Sequence, residues 1–95
     1  MEIRRFPNKL RSYRRCNGYS QKKVARMLGL ADTSTLSRWE HGISNPGIVQ
    51  VFRLARLYRT LPHVLYDELW IELETEFSLL AQSHEPFNTK PQLSM

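Results

Sequence analysis

The sequence predicts a small all-α domain, and three observations lead to that prediction. The chain has 95 residues, of which 41% are apolar and 24% charged, a balance typical of one globular domain. Apolar residues recur at spacings of three and four, and no stretch longer than four residues alternates as a strand would. Residues that start and stop helices stand between these stretches. We therefore expect a compact five-helix domain with an extended C-terminal helix.

The first two predicted helices are short and have clear ends. The first is expected over residues 8–17, and Gly18 follows its last residue. Ser20 is placed to cap the second by accepting an unpaired backbone N–H. Gly29 supplies the left-handed residue that ends it, so the second helix is predicted over residues 21–28.

The third and fourth predicted helices are separated by a turn. The third spans residues 33–41, follows a cluster of capping oxygens at 31–35, and has Leu36 and Trp39 on its inner side. An Asn-Pro-Gly turn at 45–47 comes next. The fourth helix is predicted from apolar residues at helical spacing: Ile48, Val51, Leu54, Ala55 and Tyr58.

The fifth predicted helix is the longest. Thr60 is placed to cap it, and Pro62 falls in its first turn, where the missing N–H does no harm. Its apolar positions continue beyond what a small domain needs: Leu65, Leu69, Leu73, Phe77 and Leu80. The end of the chain is polar and broken by prolines, so we expect residues 84–95 to be disordered.

Charge is distributed unevenly along the chain. Residues 1–60 contain thirteen lysines and arginines and three acidic residues, whereas residues 61–95 contain one lysine and six acidic residues. The formal charges of these segments are +10 and −5. The basic segment is suited to a polyanion, because neutralising phosphates releases condensed counterions. A solvated basic face that binds nothing acidic is equally compatible with this pattern.

The residues present disfavour several classes of protein. No run of about 18 apolar residues is available to span a bilayer, and residues 1–5 lack the apolar core of a secretory signal, so we expect a cytoplasmic protein. The single cysteine, Cys16, has no disulfide partner, and the three histidines lie apart rather than at metal-ligand spacing. We expect no metal, no cofactor and no enzyme activity, since five short helices rarely form a catalytic pocket.

The segment from residue 21 to residue 40 has the pattern of two short helices joined by a tight turn. The elements that carry this pattern are Gly18-Tyr19-Ser20-Gln21, Val24-Ala25, Leu28-Gly29-Leu30, Ser37-Arg38-Trp39-Glu40-His41-Gly42 and Asn45-Pro46. Over about residues 8–66 the chain resembles the phage-repressor and Cro-like, or XRE-type, helix-turn-helix DNA-binding domain.

The resemblance implies a division of the chain into four parts. A repressor-like DNA-binding domain would span residues 8–69, preceded by a basic arm at 1–7. Residues 70–83 would form a C-terminal helical extension, and 84–95 a disordered tail. The protein would be a transcriptional regulator, which we expect to be a repressor, associated with double-stranded DNA in the nucleoid of a bacterium or in phage infection.

The third helix would lie in the major groove, as in domains of this type, while the second crosses the DNA backbone. The resemblance therefore implies base contacts by polar residues of the third helix: Thr33, Ser34, Ser37 and Arg38. The Arg38 guanidinium is suited to guanine, since it can bond O6 and N7 together. A phosphate contact or a solvated charge is an equally open role for Arg38.

The resemblance further implies phosphate contacts and one structural ion pair. The expected phosphate contacts lie at the start of the second helix and around the third: Gln21, Lys22, Lys23, Thr35, Ser44 and Asn45. Arg14 and Glu40 occupy the two positions that the family joins in a partly buried ion pair. Four cations near the N-terminus would extend the basic face: Arg4, Arg5, Lys9 and Arg11.

The turn before the third helix departs from the family pattern. Between Leu30 and Leu36 this sequence has one residue more than family members usually have, and the extra residue falls within 31–33. We therefore expect a longer turn and a start of the recognition helix that is displaced by up to one residue.

The last predicted helix has an apolar stripe of its own. We expect its first half, to about Leu69, to pack on the first and fourth helices. The residues beyond it would form a dimer or partner interface: Trp70, Leu73, Phe77 and Leu80. A second copy of the chain is the expected partner, because a two-fold dimer places two recognition helices about one duplex turn apart. Folding back onto its own domain, or binding another protein, are the alternatives.

Two functions from different classes follow from these patterns. The first is a homodimeric, sequence-specific regulator that binds double-stranded DNA. The second is a protein-binding module, such as an antitoxin, that captures a partner with its C-terminal helix and uses the helix-turn-helix core as a scaffold. Salt dependence separates them, because only duplex binding should weaken steeply as salt rises. The coincidence of the basic segment with the helix-turn-helix pattern favours the regulator.

Overall fold

The computed structural model describes residues 6–84, and all regular structure in this part of the chain is helical. The helices are α1 (Leu10–Cys16), α2 (Gln21–Met27), α3 (Ser34–Glu40), α4 (Ile48–Leu57), α5 (Pro62–Leu65) and α6 (Asp67–His84). The all-α class is confirmed, and the first three helices lie within two residues of their predicted bounds. Residues 1–5 of the expected arm and 85–95 of the expected tail lie outside the described residues.

One apolar core forms where α1 to α5 meet. Each of these helices contributes one residue with no accessible surface: Leu10, Val24, Leu36, Leu54 and Leu65. Ala25, Leu28, Trp39, Ala55 and Tyr58 complete the buried apolar set. Fully burying a leucine or valine side chain stabilises a fold by about 1.5–3 kcal/mol, so each helix is held by a contribution of its own.

The ends of the first four helices share one backbone arrangement. In α2, Gly29 has a φ of +74°, its N–H donates to the Arg26 carbonyl, and the N–H of Leu30 donates to the Ala25 carbonyl. This Schellman motif satisfies carbonyls that a helix end leaves open. In α4 the left-handed position belongs to Arg59, at a φ of +57°, where a side chain is disfavoured.

The prediction of one long C-terminal helix is wrong, because the chain breaks at Tyr66 between α5 and α6. The cause lies outside the helix. The N–H of Lys9 donates to the Leu65 carbonyl at 2.9 Å, and a continuous helix would need that carbonyl for its own N–H four residues later. The predicted Thr60 cap is also wrong. Leu61 precedes α5 without a side-chain cap bond, and the N–H of Thr60 instead completes the end of α4.

Two single residues also differ from expectation. Ile48 belongs to the apolar spacing that predicts α4 but is 74% exposed, because the core contacts the side of this helix that bears Leu54 and Ala55. His84 was expected to begin the tail, but it is the last residue of α6.

Candidate nucleic-acid interface

Buried side chains anchor the helix-turn-helix unit of α2 and α3 to the core. Ala25 of α2 packs in the core, as do Leu36 and Trp39 of α3. The predicted cap of α2 is confirmed, since Ser20 Oγ accepts the N–H of Lys23 at 3.0 Å. Because Leu36 and Trp39 face inwards, the opposite side of α3 faces away from the core.

The outer face of α3 carries short polar side chains and one arginine. Ser34 and Arg38 are exposed, Ser37 is half-buried, and Thr33 is half-buried just before the helix. His41, exposed at the end of α3, shares this face, and its Nδ1 lies 2.8 Å from the carbonyl oxygen of Ser37. His41 was not among the predicted contacts, although its position four residues after Ser37 marks the same face.

The turn supplies the cap of α3. Asp32 Oδ1 accepts the backbone N–H of Ser34 at 2.8 Å and its hydroxyl at 2.5 Å, while Thr33 makes no side-chain cap bond. The hydroxyl bond and then the N–H bond lower the pKa of Asp32, and the positive charge of Arg38 lowers it further. The helix therefore starts at Ser34, one residue later than predicted, after the turn that we expected to be longer.

The other end of α3 is tied to α1 and α2 through one carboxylate. Arg14 Nε donates to Glu40 Oε2 at 2.6 Å, and Gln21 Nε2 donates to Glu40 Oε1 at 3.1 Å. The side chains of Arg14 and Glu40 are 9% and 1% exposed. The hydrogen bond that Arg14 donates to Glu40 raises the pKa of the Arg14 guanidinium, and Arg14 Nη1 also donates to the Tyr19 carbonyl at 2.9 Å. These are the two residues that the family resemblance pairs.

An open groove of about 440 Å³ runs beside α3 and is lined by residues of α1 and α2. Arg11 and Arg15, four residues apart on α1, line it together with Ser37 and His41 of α3. Arg11 was expected in a basic N-terminal arm, and Arg15 was not singled out. Both arginines are exposed, so this side of α3 has two further cations near it.

The predicted phosphate contacts lie on both sides of α3. Gln21 is half-buried and donates one of its two amide N–H groups to Glu40, which leaves the second available. Lys22 and Lys23 are exposed on α2, and Lys23 Nζ lies 5.3 Å from the ring centre of Tyr19. The other three lie in α3 or in the loop after it: Thr35, in the first turn of α3, and Ser44 are half-buried, and Asn45 is exposed.

The predicted interface residues of α6 lie on an exposed surface. Trp70, Leu73, Phe77 and Leu80 are 38–63% exposed, and every residue from 70 to 82 falls in the exposed class. The rings of Trp70 and His63 are in contact, with centres 4.9 Å apart and planes tilted by 40°. The described part of α6 beyond Leu69 thus does not fold back onto the core.

The described residues show little that points to other chemistry. No group of three histidine, cysteine or carboxylate side chains within residues 6–84 is arranged to hold a metal ion. Burial raises the pKa of Tyr66 to about 12 and that of Tyr58 further, so both buried phenols stay neutral at physiological pH. Among the helices that the structure describes, none combines the length and the apolar character needed to span a membrane.

A comparison with protein families identifies the fold. A helix-turn-helix family model matches residues 10–65, which is more than half of the chain and includes α1 to α5. No curated protein and no solved structure matches the chain at a significant level. The match covers the buried core, the turn and the Arg14–Glu40 pair together. The chain therefore belongs to the helix-turn-helix family of the XRE type, the family of the phage repressors and Cro, and is a DNA-binding transcription regulator.

Proposed function

We propose that the chain is a sequence-specific repressor that binds double-stranded DNA as a homodimer, with α3 in the major groove. The observation that carries this proposal is the contrast between the two sides of α3. The inner side is fixed by Leu36, Trp39 and the buried carboxylate of Glu40. The outer side is exposed, polar and surrounded by cations, as a helix that enters the groove of a polyanion must be.

Arg38 is the proposed reader of a guanine. It is the cationic residue on the outer face of α3, and its planar guanidinium can bond guanine O6 and N7 together. Ser34 donates its hydroxyl hydrogen to Asp32, so its oxygen remains as an acceptor for a base amino group. Thr33 and Ser37 discriminate less, because a hydroxyl can both donate and accept.

The phosphate contacts are proposed to flank α3. On the α2 side they are Gln21, Lys22 and Lys23, and near α3 and its following loop they are Thr35, Ser44 and Asn45. Arg11 and Arg15 extend this set on the α1 side, because they line the groove next to α3. Contacts of this kind fix the orientation of the helix on the duplex without reading sequence.

The proposal includes a cytoplasmic, nucleoid-associated protein that performs no catalysis. The homodimer is supported by the exposed apolar residues of α6, since a small chain rarely leaves so many apolar side chains in water without a partner. Two-fold symmetry would present two copies of α3 to one palindromic site. In this arrangement residues 8–69 bind DNA, and residues 70–83 form the contact between the two copies of the chain.

The test is a selection of bound duplexes from a random pool, followed by affinity measurements on the selected site. Replacing Arg38→Ala should reduce the preference for the selected base by about 1–3 kcal/mol and flatten the consensus at that position. Lys22→Ala should weaken binding to all duplexes alike and reduce the salt slope by about 1. These two outcomes separate base reading from phosphate binding.

Arg59→Gly provides a matched control for the loss of one positive charge. Arg59 is exposed in the turn after α4 rather than on α3, so the consensus should not change. A consensus that is the same for Arg38→Ala and for the wild-type chain would contradict base reading by Arg38. Absence of duplex binding at any salt concentration would contradict the whole proposal.

The exposed stripe of α6 also supports a second candidate, a module that captures a different protein. In that case a partner would bind α6 and the helix-turn-helix core would serve as a scaffold, as in an antitoxin. Duplex binding would then be weak or insensitive to salt, and Phe77→Ala would abolish partner binding while Arg38→Ala would not. The cations around α3 favour the first candidate.

A further inference from the structure

A second exposed apolar surface lies on the helix-turn-helix domain itself. An open groove of about 610 Å³ runs between the end of α2 and α4. Its apolar lining is formed by the buried Leu28 and by five more accessible side chains: Met27, Ile48, Val49, Phe52 and Leu57. Four of these five side chains are more than half exposed, so the groove is open to solvent. It is large enough for side chains of an amphipathic helix, which commonly docks into such grooves.

The edge of this groove is cationic. Arg53 and Arg56 line it along α4, and both are exposed. Arg53 bonds Gln50 of its own helix at 3.4 Å, and neither arginine forms an ion pair with an acidic residue in the described part of the chain. An occupant with acidic flanks would complement this edge.

The apolar stripe of α6 has such flanks. Trp70, Leu73 and Phe77 follow the spacing of three and four that places side chains on one face of a helix. At about 100° per residue, Glu74 and Glu76 lie roughly 80° to either side of that face. Residues 67–84 contain five acidic residues and no lysine or arginine. The helix therefore presents an apolar stripe between two acidic edges.

The charges argue against the simplest dimer, in which α6 pairs with α6 of the partner. Such a pair would place Glu74 and Glu76 of both helices along its edges, and residues 67–84 contain no lysine or arginine to offset them. Like charges at the edges of a helix pair oppose association. The groove between α2 and α4 offers the opposite sign beside an apolar floor.

We propose that the groove between α2 and α4 is the docking site for α6 of a second copy of the chain, reciprocally, so that each dimer contains two such contacts. This inference rests on the homodimer of the proposed function and names the surface that the partner helix occupies. Within one chain the stripe and the groove are both exposed, so neither covers the other. In a two-fold dimer the stripe of each chain packs in the groove of the other, so both apolar surfaces are removed from water.

The first experiment measures the dimer dissociation constant of the full chain without DNA by sedimentation equilibrium. Phe52→Ala in the groove and Phe77→Ala in the stripe should each weaken dimerisation by roughly tenfold or more, as expected for central aromatic contacts. Both side chains are more than half exposed, so neither change should unfold the domain. Leu61→Ala, at a site 57% exposed outside both surfaces, is the matched control and should leave the constant unchanged.

The second experiment reverses the charges at low salt, where they are least screened. The double change Arg53→Glu with Arg56→Glu should weaken dimerisation. Adding Glu74→Arg and Glu76→Arg to the same chain should restore it, because the edges attract again. If the dimer were instead an α6–α6 pair, Arg53→Glu with Arg56→Glu would not weaken dimerisation. The two further changes on α6 would then have no loss to restore.

Three outcomes would overturn the inference. These are a Phe52→Ala chain that dimerises like the wild type, a failure of the fourfold charge exchange to restore dimerisation, and a wild-type chain that stays monomeric at all concentrations. None of them bears on base reading by Arg38, which the duplex selection measures separately. If the chain failed to bind DNA but still formed the charge-dependent dimer, the proposed docking site would be supported. The proposed repressor function would be contradicted instead.

Discussion

The helix-turn-helix core and α6 use the same kind of amphipathic pattern with opposite results. In the core, every helix from α1 to α5 has an apolar residue with no accessible surface. In α6, every residue from 70 to 82 is exposed, including four aromatic or leucine side chains at helical spacing: Trp70, Leu73, Phe77 and Leu80. Periodicity therefore identifies an apolar face of a helix but does not say whether the same chain covers that face.

Charge separates the two regions as clearly as burial does. The core carries the cations that surround α3, and its buried acid, Glu40, is neutralised within the core. Helix α6 carries five acidic residues and no lysine or arginine. The excess charge of each region can be balanced by another surface, which we propose is DNA for the cations around α3 and a basic protein surface for α6.

The largest expected effect is at the buried carboxylate that ties the core together. Glu40→Ala leaves the Arg14 guanidinium buried without its partner, which should lower the free energy of unfolding by about 3–5 kcal/mol. Urea denaturation measures this change. Glu68→Ala, which removes an exposed carboxylate from α6, should alter stability by no more than about 0.5 kcal/mol.

A double replacement checks the reason for the Glu40 effect. Changing both Arg14→Met and Glu40→Met removes the charges together, and should recover most of the lost stability. If the double variant were as unstable as Glu40→Ala, loss of packing rather than an unpaired charge would be the cause.

Two matched truncations test whether α6 contributes to the stability of the core. Leu36→Ala should destabilise the fold by about 2–5 kcal/mol, because it opens a cavity at a site with no accessible surface. Phe77→Ala should change stability by no more than about 0.5 kcal/mol at low concentration, where the chain is monomeric. Thermal unfolding at two protein concentrations measures both. Equal losses at low concentration would show that α6 belongs to the core.

A smaller effect is expected at the boundary between α4 and α5. Arg59→Gly should stabilise the fold by about 1 kcal/mol, since Arg59 holds a left-handed conformation that suits glycine. Gly29→Ala is the reciprocal change. A Cβ there would meet nothing within 4 Å, so its expected loss of about 1 kcal/mol comes from the backbone conformation alone. A destabilised Arg59→Gly chain would contradict this account.

The smallest effect is expected at Asp32, whose pKa is lowered in the folded chain by its bonds from Ser34. A lowered pKa contributes stability above the unfolded value, which is about 3.9 for aspartate, and this contribution is lost as pH falls through the folded pKa. The unfolding free energies of the wild type and Asp32→Asn should therefore differ slightly at pH 7 and converge below about pH 3. A difference that grows on acidification would have the wrong sign for this mechanism.

Local chemistry explains which parts of the fold the sequence predicts well. Ser20 caps α2 and Gly29 ends it through bonds within a few residues, so their pattern can be read from the chain alone. The family resemblance similarly identifies Arg14 and Glu40, because both positions are occupied by matching residue types.

Tertiary contacts explain what the sequence does not predict. The break at Tyr66 depends on a hydrogen bond from Lys9 to the Leu65 carbonyl, which no periodicity reveals. The exposure of Ile48 depends on which side of α4 meets the core, since this helix is apolar on two sides. The start of α3 was uncertain by one residue because several hydroxyls and one carboxylate competed for the cap, and Asp32 provides it.

The shared carboxylate of Glu40 has a consequence for the thermodynamics of docking. Gln21 and the end of α3 are held by the same group, and the opposite end of α3 is held by Asp32. In the proposed complex, a helix that is fixed at both ends before it meets the duplex loses little conformational entropy when it binds. Discrimination between operators would then reflect the fit of a rigid surface to each groove rather than an adjustment made on contact.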